Sequence, residues 1–281
     1  MEPARTPTVL IMPTGFGAAG GPRQAPGCDD HRPGPTSYVR YVVGVLGRHD
    51  QVAALLPDGL ALRGDPVVQF HFFHLRDIPW LAGRGYNIFS VLVPARHTAA
   101  DGTVTDGLYQ AVLWENLADS IVTGREQLGH PKLFARLPAP RESGGTTHLR
   151  ASWDDFTFAE IEVDTGTTAG PEVLDDLATV TGAGIISHKY IPRTGSWETA
   201  DADYLTLSPM PTASALRDPQ PPPTATVGAG RVTFHVPTWQ DMPTQFHIVA
   251  TLAALEQVEP RGAVVLRGTT YLDFLDQRVL S

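Results

Sequence analysis

The chain has 281 residues, 42% of them hydrophobic and 18% charged, an ordinary composition for a globular protein with a sizeable core. Its formal net charge of -9 argues against nucleic acid or an anionic membrane surface as a partner. A single cysteine, Cys28, allows no internal disulfide and favours a reducing cytoplasm. No apolar run reaches the roughly 18 residues that a membrane-spanning helix needs, so the sequence predicts a soluble, unexported protein.

The chain is rich in turn-forming residues, with 27 glycines and 25 prolines, which predicts short strands rather than long helices. We expect residues 1–37 to form an irregular Gly/Pro-rich arm and residues 38–281 to form one β-rich domain. Apolar, β-branched or alternating patterns predict strands at 38–47, 67–75, 86–93, 107–114, 149–163, 185–192, 231–236 and 263–266. Helices are predicted at 49–56, 116–124, 244–258 and 271–279.

Boundary residues are predicted from the chemistry of turns and caps. Pro94 is expected to end the third strand, and Asp101-Gly102 to form the turn of a hairpin. Asn116 or Asp119 is expected to cap the second helix.

Few sequence motifs point to an established chemistry. There is no Walker loop, no dinucleotide-binding glycine fingerprint and no Gly-x-Ser-x-Gly elbow. His71 and His74 lie three residues apart on a predicted strand and therefore face opposite ways, so no metal site is expected. Arg40 interrupts an apolar strand, where it is either an exposed edge charge or a clamp for an anionic ligand.

Lysine is rare in this chain, which has only Lys132 and Lys189 against nineteen arginines. Of these two cationic side chains, lysine can lose its proton and attack a carbonyl, whereas the guanidinium of arginine stays charged. An unperturbed lysine has a pKa near 10.4, so roughly 1 in 2,500 is neutral at pH 7, and lowering the pKa by about three units costs about 4 kcal/mol. Pro131 and the apolar residues 133–135 flank Lys132. It is therefore either a buried reactive amine or a surface lysine after a turn.

Residues 124–132, Gly-Arg-Glu-Gln-Leu-Gly-His-Pro-Lys, resemble the segment of the acetoacetate decarboxylase family that carries its Schiff-base lysine. Residues 38–75, 114–120, 188–192 and 239–281 are also similar to that family. The resemblance implies that Lys132 forms an imine with a small oxo acid. It also implies that Arg40 is a pocket residue that binds the substrate carboxylate.

Further expectations follow from the resemblance. The implied fold is α+β and β-rich, with an antiparallel sheet closed into a cone or barrel and peripheral helices. The implied protein is a homo-oligomer without a cofactor. His71 is the candidate acid or base, because an unperturbed histidine titrates near neutrality. The residues expected to bind the substrate are Arg40, Tyr86, Glu126, Gln127 and His130.

Three positions depart from the family pattern. Leu133 stands where the decarboxylase has a second lysine beside the imine-forming one. His71 and Ile88 stand where the family has two pocket glutamates. These changes alter proton handling and predict a divergent member with a different substrate or a different reaction from acetoacetate decarboxylase.

Three hypotheses for function therefore remain open at the level of sequence. The first is a decarboxylase of a 3-oxo acid, which follows from the resemblance. The second is a biosynthetic aldolase-dehydratase or cyclase acting on a 2-oxo acid. The third is a small-molecule binding protein without catalysis, which would form no imine.

Overall fold

A computed structural model describes residues 11–12, 35–170, 172–210, 221–270 and 276–280. The predicted arm lies largely outside these ranges, and its assignment as a separate region stays a prediction. The strands of the described part are β1 (Thr36–Leu46), β2 (Leu60–Leu62), β3 (Val67–Ile78), β4 (Arg84–Thr98), β5 (Val104–Glu115), β6 (Lys132–Phe134), β7 (Arg141–Ser143), β8 (Thr146–Trp153), β9 (Phe156–Thr168), β10 (Gly184–Arg193), β11 (Ser196–Pro209), β12 (Thr224–Phe234), β13 (Glu259–Thr270) and β14 (Arg278–Leu280). The helices are α1 (His49–Ala53), α2 (Ala118–Thr123), α3 (Glu172–Thr181) and α4 (Phe246–Ala253), with a 3₁₀ turn at Pro79–Leu81 and a π-helix at Gly124–Leu128.

The strands form one large sheet, which confirms a β-rich α+β fold. Its order is β14-β11-β10-β5-β4-β3-β1-β13-β12-β9-β8-β7, with β2 added to β4 and β6 added to β5. Most neighbours are antiparallel, as predicted. Two pairs are parallel, β5 with β10 and β5 with β6, so the expectation of a wholly antiparallel sheet is corrected at β5.

The sheet curls strongly around its main core. Trp114 on β5 stacks on Phe89 at 5.5 Å between ring centroids and also meets Phe158 on β9 at 5.0 Å. β5 and β9 are far apart in the sheet order, so the sheet must bend to bring these rings together. Within the described residues β14 and β7 remain its two edges, and the predicted closure into a cone or barrel is not confirmed.

Most predicted strands lie on observed strands, with two informative differences. The segment 149–163 is a hairpin of β8 and β9, and it turns at Asp154, which adopts φ 48°. β4 runs through Pro94 to Thr98 instead of ending there. Pro94 lies where β4 exchanges β3 for β2 as its neighbour, and its carbonyl still accepts from the Arg63 N–H at 3.2 Å. A proline is tolerated at such a break in the ladder.

The predicted helices are only partly confirmed. α1, α2 and α4 occur at the predicted places but are shorter. Neither Asn116 nor Asp119 caps α2, because its N-cap residue is Leu117, without a side-chain cap. The predicted terminal helix is wrong at its end, since Arg278–Leu280 pairs with β11 as a strand, and residues 271–275 lie outside the described ranges. In the described residues, no helix has the length and apolarity needed to span a membrane.

The central strands carry two chemically different faces. Residues paired across neighbouring strands point to the same side of a sheet. One such row joins Tyr41, Phe72, Phe89, Trp114 and Leu133, all in or against the main core. The next row, on the opposite face, contains His71, Ser90 and Lys132, all buried. The fold therefore places a set of buried polar groups on the side of β3–β6 away from the main core.

Candidate active site

Lys132 is the first residue of β6 and is almost completely enclosed. Only 8% of its surface is exposed. Its Nζ donates to Glu115 Oε1 at 2.8 Å and to the backbone oxygen of Ser120 at 3.1 Å. Lys132 is therefore a buried amine and not a surface lysine after a turn.

Glu115, the last residue of β5, is the partner of this amine. It has no exposed surface, and its Oε2 accepts a hydrogen bond from Ser120 Oγ at 2.7 Å. Both carboxylate oxygens are thus engaged, one by the amine and one by a hydroxyl. Burying a charge is costly unless it is paired and hydrogen-bonded, and this arrangement meets both conditions.

Tyr86 lies beside this pair. Burial, followed by the negative charge of Glu115, raises the pKa of Tyr86 well above its usual value, while a hydrogen bond with Ser120 acts in the opposite direction. Tyr86 is therefore a neutral phenol at ordinary pH. Of the predicted substrate-binding residues, it is the one that the structure places next to the Lys132–Glu115 pair.

The turn before β6 leaves room for the lysine side chain. Gly124 ends α2 and begins the π-helix, and a Cβ built on it would lie 2.5 Å from Lys132 Nζ and 2.5 Å from its Cδ. Arg125 follows, and its Nη1 donates to the backbone oxygen of Lys132 at 2.9 Å. Short π-helical insertions often occur at functional sites. Here the insertion holds a glycine against the Lys132 amine, and Arg125 ties the loop to the Lys132 backbone.

Arg40 and His71 form a second cluster on the same polar face. The guanidinium can only donate, so Arg40 Nη2 donates to His71 Nδ1 at 3.2 Å. The imidazole proton is then on Nε2, which donates to Gln69 Oε1 at 2.8 Å. Burial and the charge of Arg40 hold the pKa of His71 well below its usual range. His71 is therefore a neutral imidazole.

Arg40 has unused hydrogen-bonding capacity. Its Nε is buried and has no hydrogen-bond partner among the described residues, and its guanidinium carbon lies 5.2 Å from the centre of the Phe73 ring. Burial lowers the pKa of Arg40 to about 10, which leaves it charged at neutral pH. A buried cation with an unsatisfied donor suits a carboxylate ligand.

Sheet register relates the two clusters. One row runs from Arg40 through Phe73 and Ile88 to Glu115, and the next runs from His71 through Ser90 to Lys132. Ile88 stands where the family has a pocket glutamate, and it pairs directly with Glu115 on the neighbouring strand. The sequence identifies Glu115 and Ser120 only as part of the similar segment 114–120.

His130 is positioned by a β-bulge. The register between β4 and β5 shifts between Val91 and Leu92, so Gln110 pairs with Leu92 and faces away from the main core. Gln110 Oε1 lies 2.9 Å from His130 Nδ1, and Ser187 Oγ lies 3.2 Å from the same atom. Burial, and then the charge of Lys132, lower the pKa of His130 to about 3, so this ring is also neutral.

The other predicted binding residues lie in the π-helix. Glu126 and His130 line a cavity of about 220 Å³ together with Lys189, the second lysine. Lys189 Nζ donates to the backbone oxygen of Glu126 at 2.7 Å and has no carboxylate partner among the described residues. Gln127 is partly buried in the same turn. The two lysines thus flank residues 124–130 but differ in their immediate partners.

The described residues contain no group of three or more His, Cys, Asp or Glu side chains arranged to hold a metal ion. The clusters described above consist of amine, guanidinium, carboxylate and neutral imidazole groups. Such groups can bind carboxylates and transfer protons.

The family model for acetoacetate decarboxylase (ADC) matches residues 22–259. The chain belongs to the acetoacetate decarboxylase family. A sequence comparison with curated proteins gave no match. The matched range includes the Lys132 segment and every predicted site residue.

Solved structures show the same fold at low sequence identity. The acetoacetate decarboxylase of Legionella pneumophila has a TM-score of 0.69 and 18% identity, covering 92% of each chain. An acetoacetate decarboxylase-like enzyme from Sphingomonas wittichii RW1 has a TM-score of 0.67 and 14% identity, covering 90% of this chain and 94% of that one. The enduracididine biosynthesis enzyme MppR, complexed with the condensation product of pyruvate and imidazole 4-carboxaldehyde, has a TM-score of 0.62 and 18% identity, covering 89% of each chain.

Proposed function

We propose that this family member is a carbon–carbon lyase that forms a Schiff base between Lys132 and a small oxo acid. The observation that carries the proposal is the buried amine of Lys132, held in the pattern of the family's imine-forming lysine. The neutral form of an amine is the one that attacks a carbonyl, so the mechanism needs a group that can take the proton of Lys132. An enclosed site also keeps water from hydrolysing the imine too early.

The substrate carboxylate is assigned to Arg40. Its unpartnered Nε and the fork of guanidinium donors suit a carboxylate. His71 accepts from Arg40 and is kept neutral, so its proposed acid–base role is that of a neutral imidazole. Tyr86, Glu126, Gln127 and His130 are proposed to line the remainder of the substrate site.

The proposed reaction is decarboxylation of a 3-oxo acid. The ketone carbon condenses with Lys132 to give an iminium and water. The electrons of the bond to the carboxylate then flow into the iminium, releasing carbon dioxide and leaving an enamine. Protonation of the enamine carbon and hydrolysis of the resulting iminium release the ketone and restore the amine.

A second candidate reaction is condensation of a 2-oxo acid with an aldehyde followed by loss of water. It is supported by the structural likeness to MppR, whose complex contains a condensation product of pyruvate and an aldehyde. In this case the Lys132 iminium loses a carbon-bound proton to give an enamine, which attacks the aldehyde carbon. The substrate carboxylate stays in place, which accords with a fixed arginine partner.

Product analysis separates these reactions. The enzyme is incubated with acetoacetate, and separately with pyruvate and an aromatic aldehyde, and carbon dioxide and condensation products are measured. Carbon dioxide from acetoacetate supports the decarboxylase, and a dehydrated adduct from pyruvate supports the condensing enzyme. Neither product, together with no loss of protein amine on borohydride treatment, would identify a binding protein instead.

The quaternary state and compartment belong to the same proposal. The family resemblance implies a homo-oligomer, and the single cysteine favours a reducing cytoplasm. Light scattering coupled to size-exclusion chromatography measures the molar mass directly. A mass of 30.3 kDa would identify a monomer and contradict the oligomer.

A further inference from the structure

The buried carboxylate of Glu115 has a position that no other titratable group of the described residues shares. It touches the Lys132 amine at 2.8 Å and is fully enclosed. Among the described residues, the one other hydrogen-bond partner of Nζ is the backbone oxygen of Ser120, which cannot take up a proton. Resting on the proposed function, we infer that Glu115 is a catalytic acid–base residue that takes the proton of the lysine and returns it as the imine forms.

The proton balance of this step is complete without another reactant. The ammonium of Lys132 first transfers one proton to Glu115, giving a neutral amine and a neutral carboxylic acid. The amine attacks the ketone carbon, and its next proton moves to the carbonyl oxygen, giving a neutral carbinolamine. Glu115 then gives its proton to that hydroxyl. Water leaves, the iminium cation forms, and Glu115 is again a carboxylate.

The geometry also provides a counter-charge for the product of this step. The iminium carries its positive charge on the nitrogen that Glu115 Oε1 already contacts. The second oxygen of Glu115 remains fixed by the Ser120 hydroxyl at 2.7 Å. One positive and one negative charge are therefore buried before and after imine formation, so the reaction creates no unpaired charge in the enclosed site.

The neighbouring side chains are not placed to exchange a proton with the Lys132 amine. Leu133 lies on the opposite, main-core face of the sheet, so the residue after Lys132 cannot act on its amine. The ring of His130 contacts Gln110 and Ser187, and the ring of His71 contacts Arg40 and Gln69. Neither ring has a hydrogen bond to Nζ. Within the part of the chain that the structure describes, Glu115 alone combines contact with the amine and the ability to hold a proton.

The inference is tested by separating attack from loss of water. Wild type and Glu115→Gln are mixed with acetoacetate or pyruvate and cyanoborohydride, and the reduced adduct on Lys132 is followed by peptide mass spectrometry. In parallel, both proteins receive a pulse of acetic anhydride, which acylates a free amine without any dehydration step. Lys189, which contacts a backbone oxygen rather than a carboxylate, is the internal reference in each spectrum.

We expect the adduct rate of Glu115→Gln to fall about 100-fold or more, the usual contribution of a positioned acid or base. Acylation of Lys132 relative to Lys189 is expected not to fall, because a buried amine without a counter-ion favours its neutral form. Glu115→Asp, which keeps a carboxylate, is expected to retain a measurable adduct rate above that of Glu115→Gln. This second variant also reports on the role if the glutamine variant folds poorly.

Three results would overturn the inference, and they differ from one another. An adduct rate for folded Glu115→Gln within about threefold of wild type would remove the acid–base role alone. An equal fall of adduct formation and acylation would show that Glu115 merely positions Lys132. Absence of any adduct on Lys132 in the wild-type protein would overturn the proposed function and the inference together.

Discussion

Gly124→Ala is the substitution whose outcome depends most sharply on the position of Lys132. Gly124 has helical backbone angles, φ -66° and ψ -38°, so alanine would ordinarily stabilise the turn by about 0.5–1 kcal/mol. The new methyl carbon would instead lie 2.5 Å from Lys132 Nζ, well inside van der Waals contact. The side chain of Lys132 must then move away from Glu115.

The expected magnitude follows from that displacement. Separating one partner from a buried ion pair costs about 3–5 kcal/mol, because the remaining charge stays enclosed. After the gain in helix propensity, we expect the free energy of unfolding of Gly124→Ala to fall by about 2–4 kcal/mol. We also expect the rate of imine formation on Lys132 to fall at least about 100-fold, since a displacement of about 1 Å can have that effect.

Two measurements check this prediction. Urea unfolding gives the free energy of unfolding, and borohydride trapping with an oxo acid gives the imine rate. Gly166→Ala is a matched control, because its backbone angles suit alanine and a Cβ there meets nothing within 4 Å. A Gly124→Ala protein that keeps both the stability and the trapping rate of wild type would refute the placement of Lys132 against this glycine.

Two other predictions concern the groups around Lys132. Arg40→Gln is expected to raise KM for an oxo acid about 10- to 100-fold, because it removes a charged hydrogen bond to the substrate carboxylate. Trapping of uncharged acetone should change little. Equal losses with both ketones would contradict a carboxylate-binding role for Arg40. Because His71 and His130 have lowered pKa values in the folded state, the unfolded chain binds more protons below pH 6.5, and stability must fall as the pH falls towards about 3. Urea titrations should show the free energy of unfolding falling by up to about 1.4 kcal/mol per pH unit for each histidine. This pH dependence should be smaller in His71→Gln and in His130→Gln. A free energy of unfolding that does not change with pH would contradict the burial of these two rings in the neutral form.

The sequence pointed to Lys132 as the candidate reactive amine because its signal is local. Lys132 is one of two lysines, and nine consecutive residues carry the family pattern. The strand positions were also predictable, because period-two patterns and β-branched residues reflect local burial. Arg40 and His71 stand out as polar side chains within apolar strands, but their candidate roles came from the family resemblance and not from the pattern.

Glu115 could not be recognised in the same way. A glutamate at the end of an apolar strand reads as an exposed boundary residue, and nothing local says that it is buried. Its position beside Lys132 depends on two long-range pairings. Glu115 pairs with Ile88 on β4, and β6 joins β5 in parallel after α2 and the π-helix. Alternation along β5, with Trp114 towards the core and Glu115 away from it, is the one signal that could have indicated its face.

Gln110 was missed for a different reason. Simple alternation places Gln110 on the same face as Val112 and Trp114, in the main core. The bulge opposite Val91 and Leu92 turns it to the Lys132 side instead. The predicted end of β4 at Pro94 is wrong for a similar reason. Pro94 lies at a change of neighbouring strands, which is a property of the sheet and not of the local sequence.

The site of covalent trapping tests the central claim most directly. Wild-type protein is treated with an oxo acid and borohydride, digested, and every amine-bearing peptide is examined by mass spectrometry. Since the chain has only two lysines, the account predicts the reduced adduct on Lys132, none on Lys189, and none in Lys132→Arg. An adduct on Lys189 instead, or its persistence in Lys132→Arg, would contradict the claim that the buried amine of β6 is the reactive group.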